Sequence, residues 1–274
     1  RQRWPVSDRR DEEGVNVQPD ESVLELRDGR FKIRTLQAGS GDPLLYVHGA
    51  GGLFWDPLLD ALAANHRVVA PEHPGAGESQ GLEYVEDLWD LVLYYNELLD
   101  HLGIDRAKVV GHSFGGMVAA ELACNNPERV ERLVLIAPIG LWRDDHPVPD
   151  ISGMPPERLP ELVFADPQGP VAAMLPRPDP NDPEALFRAS MTMASVLQFI
   201  WPLPDKGLSK RLYRLKAPTL LVWGTEDKLV HPAYGEDFAA AIANARLELV
   251  EGAGHLPQLE QAERTIGLIT GFLS

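Results

Sequence analysis

Lys108-Val109-Val110-Gly111-His112-Ser113-Phe114-Gly115-Gly116 is the stretch that decides the fold of this chain. A short β-branched run ends in Gly-x-Ser-x-Gly, and a helix-forming segment, Met117 to Asn126, begins at once. A serine on so abrupt a strand-to-helix turn is held in a strained backbone conformation, with its hydroxyl directed out of the sheet. Side chains two residues either side would collide there, which accounts for Gly111 and Gly115, while Gly116 lets the helix lie close to the strands. The helix N-terminus beneath the hydroxyl favours negative charge, such as an attacked carbonyl develops. Glycine-rich turns that merely contain a serine are common, so the stretch gains meaning only from partners elsewhere.

Those partners are present and in order. A hydrolase of this geometry needs serine, then acid, then histidine, each at the end of a strand. Thr219-Leu220-Leu221-Val222-Trp223 reads as a buried strand and runs into Gly224-Thr225-Glu226-Asp227. Leu247-Glu248-Leu249-Val250 runs into Glu251-Gly252-Ala253-Gly254-His255. Upstream, Leu44-Leu45-Tyr46-Val47 leads to His48-Gly49-Ala50-Gly51-Gly52. On these motifs the chain resembles the α/β-hydrolase superfamily, and more narrowly its single-domain, capped esterase, lactonase and carbon–carbon hydrolase branch. The likeness runs from about Ser22 to the C-terminus, and residues 142–215 match only in position, as a cap insertion.

The resemblance implies roles residue by residue. Ser113 is the nucleophile and His255 its base, because a serine at its free pKa needs a base within hydrogen-bond reach. The Gly-x-x-Asp pattern places the acid at Asp227, with Glu226 as the neighbouring alternative. The backbone N–H groups of Phe114 and Ala50 serve as oxyanion donors, with Gly51 the alternative to Ala50. The other histidines have plainer readings: His48 and His112 satisfy backbone groups at strand ends, His73 sits in the Glu72-His73-Pro74-Gly75 turn, and His66, His101, His146 and His231 read as surface or loop residues.

Composition bounds the partners. A formal charge of −16 argues against nucleic acid, which requires a basic face, and against docking on anionic membranes. Cys124 is the sole cysteine, which precludes an internal disulfide, and it reads as a small core residue. No run approaches the ~20 apolar residues of a membrane span, and no basic-then-apolar leader opens the chain, so a cytoplasmic enzyme is expected. The start at Arg1-Gln2-Arg3, without methionine, points to a trimmed or omitted terminus. Gly49-Ala50-Gly51-Gly52 lacks dinucleotide and phosphate-loop spacing, and no histidine pair has metal-ligand spacing; neither cofactor nor metal is called for. The oligomeric state stays open, a homo-oligomer included.

The expected architecture is α/β: a mostly parallel sheet of the eight-stranded α/β-hydrolase type, helices on both faces, and a helical cap inserted between two strands. Residues 1–20 form an N-terminal arm; 21–141 and 216–274 make the core; 142–215 make the cap. Val23 to Leu26 and Phe31 to Leu36 flank Asp28-Gly29, a strong hairpin signal. Strands are expected at Leu44–Val47, Arg67–Ala70, Lys108–Val110, Val130–Ile136, Thr219–Trp223 and Leu247–Val250. One helix presents Leu88, Leu91, Val92, Tyr95, Leu99 and Leu102 on a face and stops at Gly103; the last presents Leu259, Ala262, Ile266 and Ile269.

The cap segment holds 13 of the 24 prolines and four of the five methionines, so it is neither an ordinary loop nor sheet. Asp182-Pro183-Glu184 opens its clearest helix, which ends before Pro202 and Pro204. Met191, Met193, Leu197 and Trp201 on it are the expected pocket roof, although methionines and aromatics at helical spacing are more often plain core. This points to a small hydrophobic ester or lactone as substrate. The carbon–carbon hydrolases of meta-cleavage products are the runner-up, favoured by His255-x-x-Gln258-x-Glu260. They are disfavoured by His112 and Leu256, where those enzymes usually carry asparagine and tryptophan. Arg188 would hold their substrate carboxylate, although a solvated arginine is the plainer reading. A non-catalytic receptor of the same fold is the remote alternative, and Ser113 argues against relatives with an aspartate nucleophile.

Overall fold

A computed structural model describes residues 18–175 and 178–274. The expected arm falls almost wholly on residues 1–17, outside the described residues, and Asp20, placed in it, already opens the first strand. In chain order the strands are β1 (Asp20–Leu26), β2 (Phe31–Ala38), β3 (Pro43–Val47), β4 (Arg67–Pro71), β5 (Ala107–His112), β6 (Val130–Ile136), β7 (Thr219–Gly224) and β8 (Ala245–Val250). The helices are α1 (Pro57–Ala63), α2 (Leu88–His101), α3 (Phe114–Asn125), α4 (Leu159–Val163), α5 (Pro170–Met174), α6 (Pro183–Ile200), α7 (Ala233–Ala241), α8 (Pro257–Glu260) and α9 (Ala262–Leu273).

These strands form one eight-stranded sheet in the order β1-β2-β4-β3-β5-β6-β7-β8, antiparallel only at β1–β2 and β2–β4. The β1–β2 hairpin turns through Arg27, Asp28 and Gly29, all at positive φ, where glycine is least strained. From β4 to β8 in the sheet order every pair is parallel, and β3 to β7 are largely buried on both faces, hence their Val/Leu/Ile runs, whereas the edge strand β8 is mostly half-buried or exposed. One apolar layer, with Tyr94, Tyr95, Phe114 and Trp223, lies under α2 and α3; the other, with Leu58, Leu62, Ile269 and Leu273, lies under α1 and α9.

The strand order places the site. β3 has β4 on one side and β5 on the other, so the chain reverses its direction of winding between β3 and β5. Loops leaving the carboxyl ends of such a pair diverge and open a crevice. Those loops carry His48–Gly52 and Ser113.

Two local expectations change, those for the last helix and for His66, and the faces of α6 become defined. The last helix is two: Gln261, at φ −127°, separates α8 from α9, because Glu260 turns its carboxylate back to the amides of Gly254 and Ala165. His66 is buried rather than at the surface, with Nδ1 near the Leu62 carbonyl and Nε2 3.2 Å from Lys108 Nζ. The buried face of α6 is Thr192, Ser195, Val196 and Phe199; Met193 and Leu197 are half-buried, and Met191 and Trp201 are exposed. The start of α6 is as expected, with the Asp182 carboxylate accepting from the Glu184 and Ala185 amides.

Candidate active site

Ser113 stands between β5 and α3 at φ 54°, ψ −117°, a left-handed conformation that a serine adopts only under constraint. The constraint is steric. A Cβ on Gly115 would lie 2.1 Å from the Val47 carbonyl oxygen, and one on Gly111 would lie 2.5 Å from that of Gly115. The Ser113 N–H donates to the Ile136 carbonyl at 2.9 Å, and its own carbonyl accepts from Met117 and Ile139. The turn is thus stitched to β6 on one side and to α3 on the other.

The three residues expected from separate strand ends come together. His255 Nε2 is 2.8 Å from Ser113 Oγ, and His255 Nδ1 is 2.8 Å from Asp227 Oδ2. The second Asp227 oxygen accepts from the Leu229 and Val230 amides at 2.9 and 2.8 Å, so the carboxylate is fixed at both ends. All three side chains are buried, whereas Glu226 is exposed and contributes only its backbone N–H, to the Ala253 carbonyl. In a dry setting such charge-assisted bonds are stronger than in water.

The β3 loop lies directly against Ser113, since a Cβ on Gly49 would meet Ser113 Cβ at 3.3 Å and His112 Nδ1 at 2.9 Å. Ala50 therefore sits one residue from the point of contact. Phe114 is the first residue of α3, and its N–H is one of the helix-start donors with no carbonyl a turn earlier. His112 Nε2 bonds the His255 carbonyl at 2.9 Å and holds the loop that bears His255. Burial drives the pKa of His112 down to about 3 and that of His48 to about 4, and that of His73 well below the usual range. These rings stay neutral and act as hydrogen-bonding fixtures.

Among the described residues, the segment between β6 and β7 meets the site through Val163, Ala165, Thr192 and Phe199. The His255 N–H donates to the Val163 carbonyl at 2.7 Å, and Glu260 ties Ala165 to Gly254. Thr192 Oγ1 accepts from the Gly77 amide at 2.8 Å. The Phe199 ring stacks on Phe114 with centroids 6.0 Å apart. Arg188 turns to Glu184 at 2.8 Å in an exposed pair. Thr192, Phe199, His73 and Glu260 were not picked out from the sequence as site neighbours. Only Glu260 had a signal, in its spacing from His255; the contacts of the others span long stretches of chain.

The alpha/beta hydrolase family profile matches residues 44–268. A 2-hydroxymuconate semialdehyde hydrolase from Pseudomonas sp. strain CF600 is 31% identical over 265 residues, covering 86% of this chain and 88% of that protein. The dihydrolipoyllysine-residue acetyltransferase component of the acetoin cleaving system of Cupriavidus necator is 30% identical over 246 residues, which span 85% of this chain and 64% of that longer protein. Among solved structures, a bacterial membrane phospholipase A superposes with a TM-score of 0.76 at 25% identity, over 93% of this chain and 86% of that one. An esterase from Exiguobacterium antarcticum, at 20% identity, shares the fold with a TM-score of 0.74, over 93% of this chain and all of that one (100%).

Proposed function

The chain belongs to the alpha/beta hydrolase family, and on that premise we propose that it hydrolyses a carboxylic ester or lactone with a hydrophobic moiety through an acyl-enzyme on Ser113. The observation that carries the reading is the relay of two 2.8 Å contacts from Ser113 through His255 to Asp227. Ser113 Oγ attacks the carbonyl carbon and its proton passes to His255 Nε2, while Asp227 holds the imidazolium. The oxyanion that forms is bound by the N–H groups of Phe114 and Ala50. The carbon–oxygen bond to the alcohol then breaks, and His255 returns the proton to that oxygen. Water repeats the sequence on the acyl group and restores Ser113. Residues 142–215 act as a helical cap over this chemistry, excluding water and selecting the acyl or alcohol part by apolar contact, with Phe199, stacked on Phe114, as an aromatic wall.

Cleavage of a carbon–carbon bond in a vinylogous diketone is the second reading, favoured by the 31% identity to a 2-hydroxymuconate semialdehyde hydrolase. Against it stand His112, Leu256 and the Glu184-paired, solvent-facing Arg188. A panel of p-nitrophenyl esters, lactones and a ring-fission dienone decides between them by kcat/KM. Esters or lactones are expected to lead, and a dienone turned over faster than any ester would overturn the ester reading.

A further inference from the structure

We propose that Tyr95, acting through His73 and His48, is a positioning residue that aims the Ala50 N–H at the oxyanion. The proposal rests on the serine-hydrolase reading above and deepens it.

The peptide group between Gly49 and Ala50 is planar, so the Gly49 carbonyl and the Ala50 N–H point in opposite directions. Whatever grips the carbonyl therefore aims the N–H. Two groups do so: His48 Nδ1 at 2.7 Å and the Gly52 amide at 3.2 Å. A carbonyl oxygen only accepts, so His48 Nδ1 carries its proton. The other ring nitrogen is bound by the same logic: Nε2 faces the His73 backbone N–H at 3.0 Å, and a backbone amide only donates. The His48 ring is neutral and locked in one tautomer.

His73 is locked in the opposite one. Its Nε2 lies 2.9 Å from the His48 carbonyl and must donate to it, which leaves Nδ1 as the acceptor. The Tyr95 hydroxyl donates to that Nδ1 at 2.8 Å. Its neighbour Tyr94 donates to the Glu72 carbonyl at 3.0 Å, so successive tyrosines of α2 hold the Glu72-His73 turn against the end of β3. All four side chains are buried, where no solvent can replace a lost partner. The His73 ring also lies edge-on to Phe114, 5.0 Å between centroids, and so touches the residue bearing the second donor. Tyr95 anchors the His73 ring at Nδ1; His73 holds the His48 carbonyl and, through its amide, the His48 tautomer; His48 then fixes the peptide that bears the donor.

Tyr95→Phe keeps the ring and deletes the hydroxyl that anchors His73 Nδ1, leaving a buried acceptor without that partner. With p-nitrophenyl butyrate, kcat should fall roughly tenfold, short of the 10²–10³ that deleting a donor costs, with KM within about twofold. The inhibition constant of a trifluoromethyl ketone, whose serine adduct carries the oxyanion, should rise by a similar factor. His73→Gln, whose amide N–H stands in for the ring Nε2–H, should keep more kcat than His73→Leu at matched folded fraction, and this comparison also covers the case in which Tyr95→Phe fails to fold. A Tyr95→Phe enzyme with parental kcat and ketone affinity but a lowered Tm would overturn the proposal and leave Tyr95 a core residue. Equal kcat in the two His73 variants would overturn it too. In both cases Ser113-dependent turnover by the parent leaves the hydrolase reading standing; a parent without such turnover would sink both.

Discussion

Asp227→Asn tests the choice of acid, because the two carboxylate oxygens have different partners. Oδ1 accepts from the Leu229 and Val230 amides, and Oδ2 accepts from His255 Nδ1. An asparagine must turn its oxygen to the two amides. Reversing it would leave two buried donors facing an NH2 group, at about 1–3 kcal/mol each, so the orientation is fixed by roughly 2–6 kcal/mol. The NH2 then donates to His255 Nδ1, the ring proton moves to Nε2, and Nε2 can no longer accept from Ser113. In a triad of the same geometry this change costs about 10⁴ in turnover, or roughly 5 kcal/mol of barrier. Tm should barely move, since both backbone contacts survive. The assay is kcat on a p-nitrophenyl ester at neutral pH, beside Glu226→Gln, whose exposed side chain predicts parental rates. A fall of less than tenfold for Asp227→Asn, or a larger loss for Glu226→Gln, would refute the reasoning.

Two further predictions concern stability and selectivity. Asp56 is buried at the start of α1, where its carboxylate accepts from the Leu59 amide, and burial raises its pKa from 3.8 to about 7. A raised carboxyl pKa means the folded state holds a proton that the unfolded chain has lost, so stability falls as pH rises from about 4 through 7, by at most roughly 4 kcal/mol. Asp56→Asn keeps the cap and removes that slope, so its Tm should gain on the parent between pH 5 and pH 8; an equal difference at both would refute this. Along α6, Phe199→Leu should shift the preferred acyl length, because one apolar contact is worth about 1–3 kcal/mol of discrimination. Met191→Ala, at an exposed position, should change neither kcat/KM across the ester series nor Tm, and the reverse pattern would put Met191 rather than Phe199 in the wall.

What was legible in the sequence is what local sterics dictate. The strained serine needs glycines at fixed offsets, and Gly111, Gly115 and Gly116 announce it. Asp182-Pro183-Glu184 announces a helix start by cap and fixed φ, and the strand ends lie within a few residues of their expected places. What was not legible depends on contacts between distant residues. The period of α6 is plain, but its buried face includes Thr192, which bonds the Gly77 amide far back in the chain, and no local pattern announces that contact. The break at Gln261 follows from Glu260 bonding Ala165, far back in the chain. His73 reads as a turn residue because its partners, His48 and Tyr95, lie on a different strand end and on a helix.

The central claim is that Ser113 becomes covalently acylated and that His255 makes this possible. The direct measurement is mass spectrometry of the protein quenched during turnover of a slow p-nitrophenyl ester, with peptide mapping, for the parent and Ser113→Ala. The account predicts one acyl group on the peptide containing Ser113, none on Ser113→Ala, and turnover in that variant lower by several orders of magnitude, as when the nucleophile of a comparable triad is deleted at about 10⁶. An acyl group on another residue, or Ser113→Ala hydrolysing the ester at the parental rate, would contradict it.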